Sequence, residues 1–303
     1  MLTQRKADFI MVIAVLFWGL SYVLTRYGLD DLGVYNFMAI RMGLGFLIAA
    51  MLCYKSILKT NKKTLAAGAV LGALLFLTLS GTNFGLLRTS ITNTVFLISL
   101  TAVFVPLFST IIYKKLPDKK IIIGTIGAAA GILLLTLTGI SGLGIGIGDI
   151  LCIAAAAVYA VHIMAAKKFV EDPKIDALNL GIIQLGFAAL YAAVCTFLFE
   201  TPVMPESTDI WFVIFFLAIF SIAFGCVAQI VVQKYTSASH VGLIFALEPI
   251  FGAIFAFIVY SEILLPLQIL GGALVVLSVI WIELDVDDLK KKLKTKKKKE
   301  SGV

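Results

Sequence analysis

Ten runs of about 20 predominantly apolar residues follow one another along the chain with little between them. Each run can carry a helix across roughly 30 Å of hydrocarbon, where a membrane strand would need only about 10 residues. The approximate spans are 8–29, 34–54, 65–87, 91–113, 120–138, 148–167, 177–199, 210–232, 237–260 and 266–284. Hydrophobic residues make up 60% of the 303 positions and charged residues 14%, against about 25% charged in a soluble domain. The expected fold class is therefore an all-α integral membrane protein with no soluble domain. The first run follows Arg5 and Lys6, exceeds the length of a signal-peptide core and ends without a small-x-small cleavage site, so it is expected to be retained as a helix.

The net charge of +7 follows from where the cations sit, not from a nucleic-acid surface. Of 25 Lys and Arg residues, 22 occupy the N-terminus, alternate loops or the C-terminal tail, including eight lysines from Lys290 onward. Arg26 and Arg88 border the opposite side, where the loop 200–209 (ETPVMPESTD) carries acids and no base. The positive-inside rule then places both termini in the cytoplasm, which an even number of helices also requires. The tail KKKLKTKKKKESGV is a like-charge block expected to be solvated and drawn to anionic lipid headgroups. Cys53, Cys152, Cys195 and Cys226 all fall within spans without metal-ligand spacing, so they read as small packing residues. Neither a metal nor a cofactor is expected.

Residues 86–135 can be laid over 233–282 at a constant offset of 147. Thr89-Ser90 then falls on Thr236-Ser237, Leu100 on Leu247, Phe104 on Phe251, Tyr113 on Tyr260 and Gly124 on Gly271. The fourth span pairs with the ninth and the fifth with the tenth, while Trp18 falls near Tyr159 and Arg41 near Gln184. Two repeats, 8–138 and 148–284, followed by the lysine-rich tail 285–303, would each hold five helices. Five is odd, so the second repeat would be inverted, an arrangement that recurs in secondary transporters.

An ionisable group in the bilayer centre costs on the order of a few kcal/mol and marks a functional candidate. Glu248 lies near the middle of the ninth span, with His240, Ile244 and Glu248 on one stripe at i, i+4 and i+8. The matching stripe of the fourth span is Asn93, Leu97 and Thr101, and both are expected to face a shared cavity. Pro249 lacks a backbone donor and opposes the carbonyl of Phe245, which predicts a kink. Two roles stay open for Glu248: proton coupling, or a buried acid that shapes the kink or gate. His240 and His162 are candidates for titration or solute contact, against packed histidines near helix ends. Arg41, inside the second span, is open to snorkelling, a structural ion pair or a solute carboxylate. Trp18, Ser21 and Tyr22 on the first span and Tyr159 on the sixth could line a pocket for an amphipathic molecule. Glycines 68 and 72, and 124, 127 and 131, form small-residue faces for close helix packing.

FWGLSYV (17–23), AIRMGLGFLIAA (39–50), LLRTSITNTVFLISLTAVFVPLF (86–108) and YTSASHVGLIFALEPIFGAIFA (235–256) followed by YSEIL together resemble the EamA-type ten-helix members of the drug/metabolite transporter superfamily. The resemblance covers the chain up to its lysine tail. It implies two inverted five-helix repeats around a cavity lined by helices one, three, four, six, eight and nine, and export or exchange of small metabolites without ATP hydrolysis. The chain departs from the family pattern in having Ser21 for Asn, Ala102 for Pro and His240 for a small residue. The missing proline at 102 weighs against symmetric kinking, and His240 would bear on solute preference.

The leading expectation is a secondary transporter of the cytoplasmic membrane, most simply an exporter of amino acids or related amphipathic solutes by alternating access. No GxxxxGK[ST] loop is present to hydrolyse ATP. An intramembrane enzyme using His240 and Glu248 is the alternative, against which stand the absence of HExxH, GxSxG and paired acids. A receptor or scaffold would ordinarily bring a soluble domain or a long loop.

Overall fold

Helical periodicity and apolar content leave the backbone one way to satisfy its polar groups in lipid, and the computed structural model of the chain is helical throughout its regular elements. It describes residues 4–112, 119–136, 145–232, 244, 245 and 247–283. His240 and the tail 285–303 lie outside the described residues, as does most of the first half of the ninth span.

The first half contributes α1 (Gln4–Leu29), α2 (Val34–Leu52), a single turn α3 (Tyr54–Ile57), α4 (Lys62–Leu86), α5 (Ile91–Ile98), α6 (Thr101–Ile112) and α7 (Lys119–Thr136). The second contributes α8 (Ile147–Val170), α9 (Ala177–Phe199), α10 (Thr208–Phe216) running through a π-helical stretch Leu217–Cys226 into α11 (Val227–Val232), α12 (Glu248–Tyr260) and α13 (Pro266–Glu283). Seven of these stretches are long and apolar enough to cross a membrane. α7, α12 and α13, on the fifth, ninth and tenth expected spans, are shorter as described.

Burial is distributed as a bilayer solvent demands. Phe197, Leu198 and Phe199 are exposed, while Arg41, Asn83, Asn93, Gln184 and His162 are buried. The helices meet through small residues, since lipid offers no hydrophobic drive for their association. Gly68 and Gly72 bring α4 against Ile183, Gln184 and Phe187 of α9, and Gly131 of α7 faces Gly271 of α13 so closely that a Cβ on either would stand 2.7 Å from the other's carbonyl oxygen.

Packing joins elements of the two halves. α1 contacts α12, α2 contacts α9, α4 contacts α8 and α9, α7 contacts α13, α5 contacts α12, and α8 touches both α5 and α6. The π-helical stretch packs on α1 and α2.

Carboxylates clasp the helix ends between the halves. Both oxygens of Glu200, just past α9, accept the backbone N–H groups of Tyr35 (3.1 Å) and Asn36 (2.9 Å) in the first turn of α2. Glu262, beyond α12, does the same for Ile91 (3.0 Å) and Thr92 (3.1 Å) of α5 and accepts the Thr92 hydroxyl at 2.7 Å. At the opposite end, Lys63 pairs with Asp172 and Asn61 Nδ2 donates to the Lys174 carbonyl at 2.6 Å. Lys63 holds the exposed Asp172 carboxyl below its ordinary range. Its contribution is therefore present above the usual carboxylate pKa and lost as the pH falls through the depressed folded value. Glu200 answers two of the orphan donors that every helix start presents. Glu200→Ala is expected to destabilise the protein by about 1 kcal/mol, read as a lowered apparent melting temperature in detergent, with Glu200→Gln falling between.

The backbone is interrupted at two places that the offset of 147 makes equivalent. α5 ends at Ile98 and α6 begins at Thr101, with Leu100 N bonded to Leu97 O (3.2 Å) and Ala102 N to Ser99 O (3.1 Å). In the second half Leu247 N bonds to Ile244 O (3.0 Å) and α12 starts afresh at Glu248. Pro249 therefore occupies the first turn of a helix, where its missing donor costs nothing. The expected kink is a helix start instead. The break also occurs without a proline at 102: the Ser99 hydroxyl donates to Phe96 O (2.6 Å), the Thr101 hydroxyl to Ile98 O (2.7 Å), and Pro106 withholds a donor from the Ala102 carbonyl.

Candidate functional site

Two helix faces supply most of a buried cavity of about 80 Å³. Trp18, Ser21, Tyr22 and Thr25 lie at i, i+3, i+4 and i+7 of α1, and Leu75, Thr78, Leu79, Thr82, Asn83 and Leu86 repeat the same spacing along α4. Arg41 of α2, Ile98 of α5, Tyr159 of α8, Ser221, Ile222 and Cys226 of the π-helical stretch, and Glu248 of α12 complete the wall.

The break before α12 places Glu248 at a helix start, and the Tyr22 hydroxyl of α1 donates to its Oε1 at 2.8 Å. Trp18 Nε1 donates to the Ser221 carbonyl at 3.0 Å. That carbonyl lies in the π-helical stretch, where the wider turn displaces the ordinary i→i−4 ladder. Phe17, one residue before Trp18, packs on Phe216, Phe220 and Phe224 with centroid distances of 5.9, 4.7 and 6.3 Å, which anchors α1 to the same stretch. Arg41, only 3% exposed, donates from Nη1 to the Thr25 hydroxyl at 2.8 Å and lies 5.1 Å over the centroid of Phe37. Tyr159 donates to Gln229 Oε1 at 2.9 Å.

Six of the residues singled out from sequence thus meet in one cavity: Trp18, Ser21, Tyr22, Arg41, Tyr159 and Glu248. Pro249 is buried beside Glu248. The stripe of Asn93, Leu97 and Thr101 does not line the cavity. Leu97 packs with Cys152, Ala155 and Ala156 of α8, Thr101 Oγ1 reaches the Ala156 carbonyl at 3.2 Å, and Asn93 Nδ2 donates to Thr89 Oγ1 at 3.3 Å. Asn93 and Leu97 precede the turn at Ser99–Leu100 on the unbroken α5, and it is Ile98, one residue round that helix from Leu97, that lines the cavity. His162 lies behind the wall, its ring 5.6 Å from that of Tyr159 and its Nε2 2.9 Å from Gln184 Oε1. Thr25, Thr78, Thr82, Asn83 and Ser221 escaped the sequence reading, which weighed ionisable and aromatic groups. The run TLSGTN (78–83) is the signal that could have found three of them: polar residues crowded into an apolar span. Among the described residues no group of His, Cys, Asp and Glu could hold a metal ion.

A model of the EamA-like transporter family matches the chain twice, over residues 5–137 and 146–284. The chain belongs to the EamA-like transporter family. It is a multi-pass membrane transporter, whose partners are a small-molecule solute and the surrounding lipid. A protein named uncharacterized transporter from Archaeoglobus fulgidus is 28% identical over 282 residues, covering 92% of this chain and 86% of the relative. The Bacillus subtilis protein named uncharacterized transporter YyaM is 25% identical over 278 residues, covering 88% and 89%. One crystal structure is similar in fold, with a TM-score of 0.68 at 18% identity, covering 91% of this chain and 96% of that one.

Proposed function

We propose that this transporter moves small amphipathic organic solutes out across the cell membrane by alternating access, using two inverted five-helix repeats, 8–138 and 148–284, with both termini and the lysine tail in the cytoplasm. One observation carries the reading. The buried cavity is walled by elements of both halves, and its carboxylate, Glu248 of the second half, is held by Tyr22 of the first.

The packing map supports inversion. Exchanging each span of the first half with its counterpart in the second converts the α1–α12 contact into the contact of α5 and α6 with α8, and the α4–α8 contact into that of α1 with the π-helical stretch. The α2–α9 and α7–α13 contacts convert into themselves. Two matches to one family model and two interruptions at equivalent positions point the same way. Halves of similar structure and opposite orientation can exchange conformations, so that the cavity opens first to one side and then to the other.

In this reading Trp18, Ser21, Tyr22, Arg41 and Tyr159 contact solute, and Glu248 with Pro249 couples or gates. His162, Asn93 and Thr101 support the wall from behind, and His240 acts near the cytoplasmic entry. The tail binds anionic lipid. The test uses Ser21→Cys in a chain whose four native cysteines are replaced, reconstituted in liposomes beside a counterflow assay. A membrane-impermeant thiol reagent is expected to label position 21 from either side. Labelling from one side only, together with no counterflow of any labelled solute, would rule out alternating access.

A further inference from the structure

We infer that the cavity is built to hold a carboxylate, gripped by Arg41 of α2 and Asn83 of α4; this rests on the transporter reading and names the class of solute. The argument is an accounting of hydrogen-bond donors on one wall. A guanidinium presents five N–H donors in a planar fork. The hydrogen bond that Arg41 makes goes from Nη1 to Thr25, while its Nε is buried without a partner. Among the described residues no carboxylate stands within 4.0 Å of it, the ion pairs there being Arg26 with Asp30 and Lys63 with Asp172. Asn83 is 2% exposed and its Nδ2 is likewise without a partner. Both residues line the cavity.

Several acceptors on the same wall are already engaged, and Glu248 is not paired with Arg41. Glu248 Oε1 takes the Tyr22 hydroxyl and the Ser221 carbonyl takes Trp18. The Thr78 and Thr82 hydroxyls donate back to the carbonyls of Leu74 and Thr78. Arg41 and Asn83 therefore present unfilled donors to the cavity, and among the described residues no carboxylate pairs with the guanidinium. Buried donors left unmade are costly and few in native proteins. A group with two coplanar acceptor oxygens and a single negative charge satisfies the fork, the amide and the charge together. One guanidinium neutralises one charge, which favours a monocarboxylate over a phosphate dianion.

The Arg41 and Asn83 positions also explain how the site is held before solute arrives. Thr25 fixes one edge of the guanidinium and the Phe37 ring covers one of its faces, so little side-chain freedom remains to be lost on binding.

The experiment measures the apparent melting temperature of the purified full-length protein against monocarboxylates from acetate to phenylacetate. Each is paired with its neutral carboxamide, with phenethylamine and phenyl phosphate as further arms. Carboxylates are expected to raise the melting temperature and their amides to leave it unchanged. Arg41→Gln is expected to weaken the effect roughly ten- to hundredfold, and Asn83→Asp to abolish it by setting a second negative charge beside the first. Arg41→Lys, which keeps the charge but loses the fork, should fall between. Equal stabilisation by an amide, stronger stabilisation by phenyl phosphate, an undiminished response in both Arg41→Gln and Asn83→Asp, or no response to any carboxylate would each overturn the proposal. Because two-sided access at position 21 is read independently, the transporter reading can stand while the carboxylate falls.

Discussion

Glu248→Gln is expected to abolish the proton coupling proposed for this acid while leaving the protein folded and able to exchange solute at equal pH. Glutamine keeps the length and planarity of glutamate, and its carbonyl oxygen can still accept the Tyr22 hydroxyl that now donates to Glu248 Oε1 at 2.8 Å. The α1–α12 contact should therefore survive, and with it the cavity. What glutamine cannot do is exchange a proton as the solvent access of the cavity changes. A carboxyl that is charged when open to water and neutral when sealed ties each conformational change to a proton, whereas an amide ties it to nothing. The expected size is a loss of more than about tenfold in solute flux driven by a pH gradient, because the carrier is removed and not merely weakened. Counterflow at symmetrical pH should fall far less. Tyr22→Phe separates the two roles left open for the acid: it removes the donor that positions Glu248 but leaves a titratable carboxyl, so gating should suffer while proton dependence persists. If Glu248→Gln transports with the wild-type response to pH, the acid is a structural element of the helix start and carries no coupling proton.

Much of this site was legible because membrane helices leave few explanations for a polar side chain. Glu248, Tyr22, Trp18, Arg41 and Tyr159 could be picked out as misfits in apolar runs, and the structure gathers them at one cavity. Pro249 marked the second-half interruption, but the missing proline at 102 weighed against a counterpart in the first half, where hydroxyls of Ser99 and Thr101 and the proline at 106 accompany the break instead. Register was where the pattern stopped informing. Spacing alone does not say which face of a helix meets a cavity: Asn93 and Leu97 share the unbroken α5, Leu97 packs on α8, and only Thr101 lies beyond the break at Ser99–Leu100. The π-helical stretch Leu217–Cys226 was illegible for a related reason: LAIFSIAFGC is uniformly apolar and offers no period from which a wider turn could be read. It is set instead by tertiary contacts, through Trp18 on the Ser221 carbonyl and the close seat that Gly225 leaves for the indole. The threonines of α4 were passed over because a hydroxyl that bonds its own helix looks inert in sequence, and only the geometry shows that Asn83 beside them does not.

Gly19→Val is expected to cost both the fold and the function, because the site depends on how closely two backbones approach. A Cβ on Gly19 would stand 2.7 Å from Phe251 Cβ, 2.9 Å from the Gly252 nitrogen and 3.1 Å from the Phe251 carbonyl carbon. Two of those three are backbone atoms of α12, which cannot swing aside as the end of a side chain could. α1 and α12 must then separate, and Tyr22, three residues along α1, is the group that bridges them to Glu248. Overpacking of this kind costs about 1–3 kcal/mol, to which the lost hydrogen bond adds on the order of 1 kcal/mol or more. Gly19→Ala should already lower the melting temperature measured in detergent and slow counterflow, since its methyl meets the same atoms. Valine adds two branches at the crossing and should leave little folded protein after solubilisation. A double change, Gly19→Ala with Phe251→Gly, removes the Cβ contact but neither backbone contact, so partial recovery is expected and full recovery is not. Should Gly19→Val melt and transport as the wild type does, α1 and α12 do not meet at this point, and the pairing of Tyr22 with Glu248 loses its structural basis.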